Sequence, residues 1–339
     1  MSRHRLRQVV EHSWYGRPLT LLRPLAGLFG AVVALRRVAY NRGWLRSQRL
    51  SAPVIVVGNI AAGGSGKTPF TLWLVKLLQD HGYRPAVLSR GYGAQAGLRP
   101  LRVAPDGDAA VCGDEPLLIA QRTGAPVYID ADRVRAGRAA IADAQANVLV
   151  CDDGLQHYRL RRDIEIALVD GERRVGNGQL LPAGPLREPV ARLAEVDFVV
   201  LKGHGEAGET VMRFSDFRLR RLCDGVEFAP AAFAGRTIHA VAGIAAPSSF
   251  FTELRRLGMS VIEHPLPDHY PIGPRDLHFG DDLPVVMTEK DAVKCPAFTD
   301  ARYHALSFTI DLDAAFAAQL LERLTHGQET ARHPGVSPV

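Results

Sequence analysis

A glycine-rich loop joins a predicted buried strand to a predicted amphipathic helix in residues 53–69 of the chain. The apolar run 54–57 predicts the strand, because four consecutive valine and isoleucine residues favour a fully buried β-strand. After Gly66, Lys67 and Thr68 the helix follows, and its apolar positions are Leu72, Leu74, Val75, Leu77 and Leu78. This order of strand, loop and helix predicts a parallel α/β fold with the loop at the carboxyl end of the strand.

The loop has the residues that a phosphate-binding loop needs. Glycines let backbone N–H groups turn toward phosphate oxygens, and the helix N-terminus adds partial positive charge. Lys67 is expected to reach the β- and γ-phosphates, and the Thr68 hydroxyl to bind Mg²⁺. The first glycine of the usual pattern is replaced by Ala61. The nucleotide-binding residues predicted here are Ala61, Ala62, Gly63, Gly64, Ser65, Gly66, Lys67 and Thr68.

The net charge indicates what kind of partner the protein binds, and the cysteine content indicates the redox state of its compartment. The 339 residues have a formal net charge of +5, which favours an anionic partner such as a phosphorylated substrate, an acidic membrane surface or nucleic acid. The four cysteines are widely spaced and form no C-x-x-C pair, so we expect free thiols in a reducing compartment.

The first 50 residues are strongly basic and surround an apolar segment. They contain ten arginines against the single acid Glu11, and residues 18–35 are mostly leucine, valine, alanine and glycine. Trp14, Tyr15, Tyr40 and Trp44 flank this segment. A basic helix with aromatic flanks is typical of the headgroup region of an anionic membrane. A helix packed on the protein's own core, or a true membrane span, are the alternatives.

Strands and helices alternate after the loop, which predicts a mostly parallel sheet covered by helices. The alternation of predicted strands and helices stops near residue 205 and starts again near residue 233. We therefore predict an N-terminal membrane-associated helix in residues 1–50, a core in 51–204, an extended hairpin linker in 205–232, a smaller α/β domain in 233–325 and a disordered tail in 326–339.

Two acidic pairs are candidates for chemistry. Asp152 and Asp153 follow a predicted buried strand, where proteins with such a phosphate loop place a Mg²⁺-binding acid. Asp114 and Glu115 precede Pro116, so Asp114 is either the N-cap of a helix or a functional acid.

Six motifs in this order resemble the tetraacyldisaccharide 4′-kinases of lipid A synthesis. They are the loop after Gly58, residues 89–93 (SRGYG), 113–116 (GDEP), 152–157 (DDGLQH), 181–188 (LPAGPLRE) and 288–291 (TEKD). The resemblance implies a P-loop α/β/α core with a smaller C-terminal α/β domain. It also implies ATP-dependent phosphorylation of the 4′-hydroxyl of an anionic acylated disaccharide 1-phosphate, at the cytoplasmic face of the bacterial inner membrane. Nucleic acid is not an expected partner.

The resemblance also implies roles for particular residues. Asp114 is the expected acceptor base, paired with His269, while Lys67 and Asp153 complete the catalytic set. The expected Mg²⁺ ligands are Thr68 with Asp152 or Asp153, and the cofactors are ATP and Mg²⁺. Candidates for substrate contacts are Arg133, Gln156, His157, Arg187 and Glu188.

Another class of P-loop protein remains an alternative. Residues 288–291 superficially resemble the base-reading motif of a GTPase, which would make the chain a switch-type ATPase or GTPase at a membrane. A basic module that binds membranes or nucleic acid without catalysis is the second alternative.

Overall fold

The computed structural model describes residues 13–16, 19–91, 100–295 and 300–332, with side chains as far as His326. Three predicted features fall partly outside these residues: the start of the basic N-terminal segment, the end of motif 89–93 and the last residues of the tail. The strands are β1 (Val54–Gly58), β2 (Pro85–Ser89), β3 (Leu101–Val103), β4 (Val127–Ile129), β5 (Val148–Asp152), β6 (Ile164–Asp170), β7 (Phe198–Lys202), β8 (Thr210–Arg221), β9 (Glu227–Phe228), β10 (Thr237–Ala242), β11 (Ser260–Pro265), β12 (Val285–Thr288) and β13 (Tyr303–Asp311).

The α-helices with described bounds are α1 (Arg23–Asn41), α2 (Lys67–Asp80), α3 (Ala109–Cys112), α4 (Asp114–Thr123), α5 (Arg133–Ala144), α6 (Pro247–Arg256), α7 (Glu289–Ala292) and α8 (Ala314–Arg332). No helix among the described residues is both long enough and apolar enough to cross a bilayer. Helix α8 continues through residues 326–332, where the sequence predicted a disordered tail. Hydrogen bonds from Thr325 to Leu321 and from the His326 ring to Glu322 stabilise its last turns.

The chain divides into two compact units that are discontinuous in sequence. The first contains the described residues up to Arg90, then 132–213, and those from Leu312 onward; the second contains 91–131 and 214–311. This division differs from the contiguous domains predicted from the sequence. Helix α8 belongs to the first unit because Phe316 packs against Phe70 and Phe198. Segment 91–131 belongs to the second because α4 lies against α7, where Arg122 pairs with Glu289.

Parallel strands form the core of the first unit. β1 lies between β5 and β6, β2 flanks β5, and β7 flanks β6, all in parallel register. All five residues of β1 are buried, as its apolar sequence predicts. Val57 pairs with Asp152, so the ends of β1 and β5 lie side by side. The glycine loop and the two aspartates therefore emerge at the same edge of the sheet, where open α/β sheets bind ligands.

The second unit contains a parallel group of four strands in the order β11, β10, β12, β13. In the predicted linker, β8 is a long extended strand and β9 pairs with it in antiparallel register, with Leu219 opposite Phe228. A core of aromatic and aliphatic side chains, including Phe251 and Leu254 of α6, covers one face of the sheet. Helix α7 follows β12 directly and places the 288–291 motif at the carboxyl end of that strand.

A buried ionic cluster supports the first unit. The side chain of Arg192 is 4% exposed, its Nη2 lies 2.5 Å from Glu165 Oε1 and its Nε lies 3.3 Å from Glu188 Oε2. Glu188 is only 1% exposed. Arg162 Nη1 also lies 2.8 Å from Glu165 Oε1. Because buried charges are tolerated only when they are paired, Arg192 is needed above all to balance Glu188.

We therefore expect Arg192→Met to reduce the free energy of unfolding by about 3–5 kcal/mol, since it leaves the buried Glu188 carboxylate without its cation, while Glu165 keeps its pair with Arg162. Urea unfolding followed by circular dichroism measures this change. Arg174→Met is the matched control, because Arg174 pairs with Glu209 at the surface and its loss should change stability little. Equal effects of the two substitutions would contradict the structural role of the buried cluster.

Candidate active site

The glycine loop has the backbone conformation of a phosphate cradle. Gly66 precedes α2 with φ 82° and Gly63 has φ 120°, both in the region that favours glycine. A Cβ atom on Gly66 would lie 2.7 Å from the Met212 side chain, so a larger residue would clash there as well. Lys67 and Thr68 are the first two residues of α2. Their position at a helix N-terminus is the one predicted from the sequence.

Asp153 lies between two cations beside this loop. Lys67 Nζ is 3.6 Å from Asp153 Oδ1, and Arg187 Nη1 is 3.2 Å from both carboxylate oxygens. Burial tends to raise the pKa of Asp153, but the nearby cations of Lys67 and Arg187 outweigh burial and hold that pKa below its ordinary value. Asp153 has φ 47°, an uncommon conformation for a residue other than glycine that often marks a functional turn.

A pairing of backbone segments brings Arg187 to the loop. The Ala62 N–H donates to the Pro185 carbonyl at 2.7 Å, and the Arg187 N–H donates to the Ile60 carbonyl at 2.6 Å. Residues 185–187 therefore lie along the start of the glycine loop. The sequence named Arg187 as a candidate for substrate contact, and the structure adds that its side chain is already paired with Asp153.

Asp152 is more enclosed than its neighbour. It is 3% exposed, and its Oδ1 accepts a hydrogen bond of 3.1 Å from the Thr71 hydroxyl of α2. In the part of the chain that is described, no three His, Cys, Asp or Glu side chains converge as a metal cage. Magnesium is usually held by one or two carboxylates together with substrate phosphates and water, so Thr68, Asp152 and Asp153 offer the oxygen donors that it prefers.

The other predicted substrate residues of the first unit have internal contacts. Gln156 Nε2 donates to the Asn59 carbonyl at 3.1 Å, which ties the turn after β5 to the glycine loop. Arg133 is 3% exposed at the start of α5. Burial and the nearby Arg133 cation lower the pKa of His157 to about 4, so this ring is neutral at pH 7. Glu188 is buried against Arg192. A substrate role for these four residues stays a prediction.

In the second unit, Asp114 and His269 form a close pair although they are 155 residues apart in sequence. His269 Nδ1 lies 2.9 Å from Asp114 Oδ2 and 3.1 Å from Oδ1. Asp114 is the first residue of α4, is 5% exposed, and also accepts the Glu115 N–H at 2.9 Å. The N-cap is Gly113 rather than Asp114, so the predicted N-cap role of Asp114 is wrong, because its backbone is already helical. Its functional role stays a prediction. His269 has φ 60°, and its backbone N–H donates to the Gly243 carbonyl at 3.2 Å.

Two lysines that the sequence reasoning missed complete this cluster. Lys294 Nζ is 3.5 Å from Asp114 Oδ2, and Lys290 Nζ is 3.3 Å from His269 Nε2. Burial tends to raise the pKa of Asp114, but the hydrogen bond from His269 and the two lysine cations lower it below its ordinary value. The hydrogen bond with Asp114 raises the pKa of His269, against the opposing effects of burial and Lys290. The available signal was the spacing of the two lysines, because Lys290 lies within the 288–291 motif and Lys294 follows it by four residues, the spacing of one helical turn.

The 288–291 motif does not have the exposure that a base-reading motif needs. Asp291 is fully buried, and its carboxylate binds the Gly243 N–H at 2.9 Å, the Thr288 hydroxyl at 2.6 Å and Lys294 Nζ at 2.7 Å. With these bonds formed, Asp291 is not available to a guanine base. This geometry disfavours the GTPase alternative and assigns the motif a structural role: it orients the lysines.

Three comparisons agree on one family. Residues 18–325 match the family model described as tetraacyldisaccharide-1-P 4′-kinase. A curated relative from Stenotrophomonas maltophilia, named tetraacyldisaccharide 4′-kinase, is 50% identical over 92% of this chain and 95% of its own length. One of the same name from Nitrosococcus oceani is 47% identical over 92% and 93%. A solved structure of LpxK from Aquifex aeolicus in complex with ATP is 30% identical, with a TM-score of 0.76 over 90% of this chain and 98% of that one.

We expect Lys67→Ala to lower kcat for phosphoryl transfer by about 100-fold or more, because a cation on the transferring phosphates stabilises the transition state by several kcal/mol. Steady-state kinetics at saturating ATP measure the loss, and the melting temperature should stay near that of the unmodified protein. Lys76→Ala is the control, since Lys76 lies on the same helix and pairs with Asp80 at the surface. Near-normal turnover by Lys67→Ala would contradict the phosphate-loop assignment.

Proposed function

Because the chain belongs to the tetraacyldisaccharide-1-P 4′-kinase family, it is a kinase of lipid A synthesis, and we propose that its phosphate loop and its Asp114–His269 pair have separate tasks in the reaction. The loop holds the donor phosphates, and the pair receives the proton of the acceptor. The reaction is phosphorylation of the 4′-hydroxyl of a tetraacyldisaccharide 1-phosphate, which gives lipid IVA.

On the donor side, ATP is the proposed nucleotide. The bond between the γ-phosphorus and the bridging oxygen breaks, ADP leaves, and a new bond forms between phosphorus and the 4′-oxygen. Such transfers depend mostly on positioning and on stabilisation of spreading negative charge. The backbone N–H groups of residues 63–66 and the Lys67 ammonium are suited to this work, and Arg187 adds a second cation beside Asp153.

Magnesium is the proposed metal of the same site. Bound there, Mg²⁺ would neutralise part of the negative charge of the donor phosphates. The Thr68 hydroxyl and the carboxylates of Asp152 and Asp153 are the proposed protein ligands. The low pKa of Asp153 supports this assignment, because a metal ligand must be deprotonated.

On the acceptor side, Asp114 is the proposed base. The observation that supports it best is the 2.9 Å contact between His269 Nδ1 and Asp114 Oδ2, which orients a buried carboxylate with a histidine from a distant part of the chain. A sugar hydroxyl is a weak nucleophile, so removal of its proton as the phosphorus–oxygen bond forms assists transfer. Asp114 takes that proton, and His269 holds the carboxylate in place.

A second proposal concerns the membrane. On α1 and the turn before it, Leu21, Leu25, Leu28, Val32 and Leu35 recur at intervals of three and four residues, and each is between 55% and 88% exposed. That spacing places them along one side of the helix. Elsewhere on the helix, Gly30 approaches the Leu180 side chain, and Arg37 pairs with Glu195 at 2.5 Å. Only Ala26 of α1 is buried.

This exposed apolar stripe suits the surface of an anionic bilayer. Arginines before and after the stripe add attraction of about 1 kcal/mol each to acidic lipid, which salt screens. We propose that α1 lies in the interface of the cytoplasmic leaflet of the inner membrane, where the anionic acylated substrate is found. The exposure of the stripe favours this proposal over a helix packed on the protein's own core.

Asp114→Asn is expected to lower kcat far more than it raises KM for either substrate, because a base acts in the transition state. Asparagine keeps an oxygen that accepts the Glu115 N–H, so this hydrogen bond at the start of α4 and the melting temperature should be preserved. His269→Gln should lower kcat too, and the double variant should lose much less than the product of the two single losses. A lower melting temperature with unchanged kcat would favour a role of Asp114 in stability alone.

Replacing Leu25, Leu28 and Val32 together by serine should reduce binding to vesicles that contain anionic lipid, because the apolar stripe no longer enters the interface. Flotation at low and high salt measures binding, and high salt should release the unmodified protein as well. The matched control replaces Val190, Val226 and Ile262, three exposed aliphatic residues elsewhere in the chain. Unchanged flotation of the stripe variant would contradict the membrane proposal.

A further inference from the structure

His269 has a second close partner on the ring nitrogen that faces away from Asp114. Its Nδ1 faces the Asp114 carboxylate, while its Nε2 lies 3.3 Å from Lys290 Nζ. The same ammonium lies 3.0 Å from Glu115 Oε1 and 3.3 Å from Asp268 Oδ1. The Lys290 side chain is 16% exposed, so water screens these contacts only in part.

The chemistry of the ammonium group determines what His269 must do. A protonated lysine has three donors and no acceptor, so its neighbour at hydrogen-bonding distance has to accept. Burial tends to lower the pKa of Lys290, but Glu115, Asp114 and Asp268 raise it above its ordinary value and keep the lysine charged. A neutral imidazole that accepts at Nε2 carries its proton on Nδ1, and from there it donates to Asp114.

We propose that Lys290 is a positioning residue for phosphoryl transfer: it fixes His269 as the Nδ1–H tautomer that orients Asp114, and its own positive charge stabilises the Asp114 carboxylate. The proposal rests on the role of Asp114 as the base. It assigns the 288–291 motif a purpose, because the Thr288–Asp291 hydrogen bonds hold the short helix α7 from which Lys290 projects.

The charged groups around Asp114 and His269 determine how the loss of Lys290 changes the protonation of this pair. They are Glu115 of α4, Asp268 of the loop before His269, and Lys290, Asp291 and Lys294 of α7 and the turn after it. Removing the Lys290 cation takes a stabilising positive charge away from the Asp114 carboxylate. The pKa of Asp114 therefore rises, and its protonated, inactive form persists to higher pH.

The first experiment compares the dependence of kcat on pH for the full-length protein and for Lys290→Met, Lys290→Arg and Lys76→Met. In Lys290→Met we expect the acidic limb of the profile to move to higher pH by about one pH unit, which is roughly a tenfold loss of kcat on that limb. Lys290→Arg keeps the charge and should restore the limb most of the way. The exposed control Lys76→Met should leave the profile unchanged.

The second experiment needs no substrate and reads the ring directly. Nitrogen-15 NMR of histidine side chains, assigned by comparison with His269→Gln, reports which ring nitrogen carries the proton. On the neutral form of the ring we expect a protonated Nδ1 and an unprotonated Nε2, and we expect a larger imidazolium fraction in Lys290→Met than in the unmodified protein at the same pH.

Three outcomes overturn the proposal: an unshifted acidic limb in Lys290→Met, a profile that Lys290→Arg fails to restore, or a proton on Nε2 of neutral His269 in the unmodified protein. Failure of the base assignment is a separate result, since Asp114→Asn would then retain its kcat. The melting temperature of each variant separates both results from loss of the fold.

Discussion

The buried carboxylate of Asp114 is the group on which the chemistry proposed for the second unit depends. A carboxylate that is 5% exposed loses most of its hydration, which favours the neutral acid and would spoil a base. His269, Lys290, Lys294 and the Glu115 N–H surround it and reverse that tendency. Because these partners come from α4, the loop after β11 and α7, the unit must be folded before the carboxylate can act. Tertiary packing of the second unit therefore favours the ionised form of the Asp114 carboxylate.

In the first unit, the site must stabilise negative charge that is concentrated on the donor phosphates. A glycine loop at a helix N-terminus, the Lys67 ammonium and Arg187 supply positive charge at the edge where β1 and β5 end. The Asp153 carboxylate balances the charges of Lys67 and Arg187. The Thr71 hydroxyl donates a hydrogen bond to Asp152. The Gln156 side chain donates one to the Asn59 carbonyl, which connects the turn after β5 to the glycine loop. The parallel register of the two strands is therefore the constraint that assembles this edge.

Local patterns predicted the first unit well and the second poorly. The strand, loop and helix of residues 53–69 depend on neighbours in sequence, so apolar runs and glycines were sufficient to predict them. The contact between Asp114 and His269 spans 155 residues, and only the resemblance of motifs suggested it. No local signal indicated that Glu188 would be buried against Arg192, or that residues 91–131 would join the second unit. Helix α8 extends beyond the predicted boundary because hydrogen bonds along its backbone outweigh a polar composition.

The most direct test is transfer of label from γ-labelled ATP to a detergent-dispersed tetraacyldisaccharide 1-phosphate in the presence of Mg²⁺. Thin-layer separation and phosphorus NMR of the lipid identify where the label goes. We predict a bisphosphorylated lipid whose new phosphate ester is on the 4′-oxygen, formed in step with ADP. Release of the label only as inorganic phosphate, at a rate that does not depend on the lipid, would contradict the assignment of this chain as a lipid kinase.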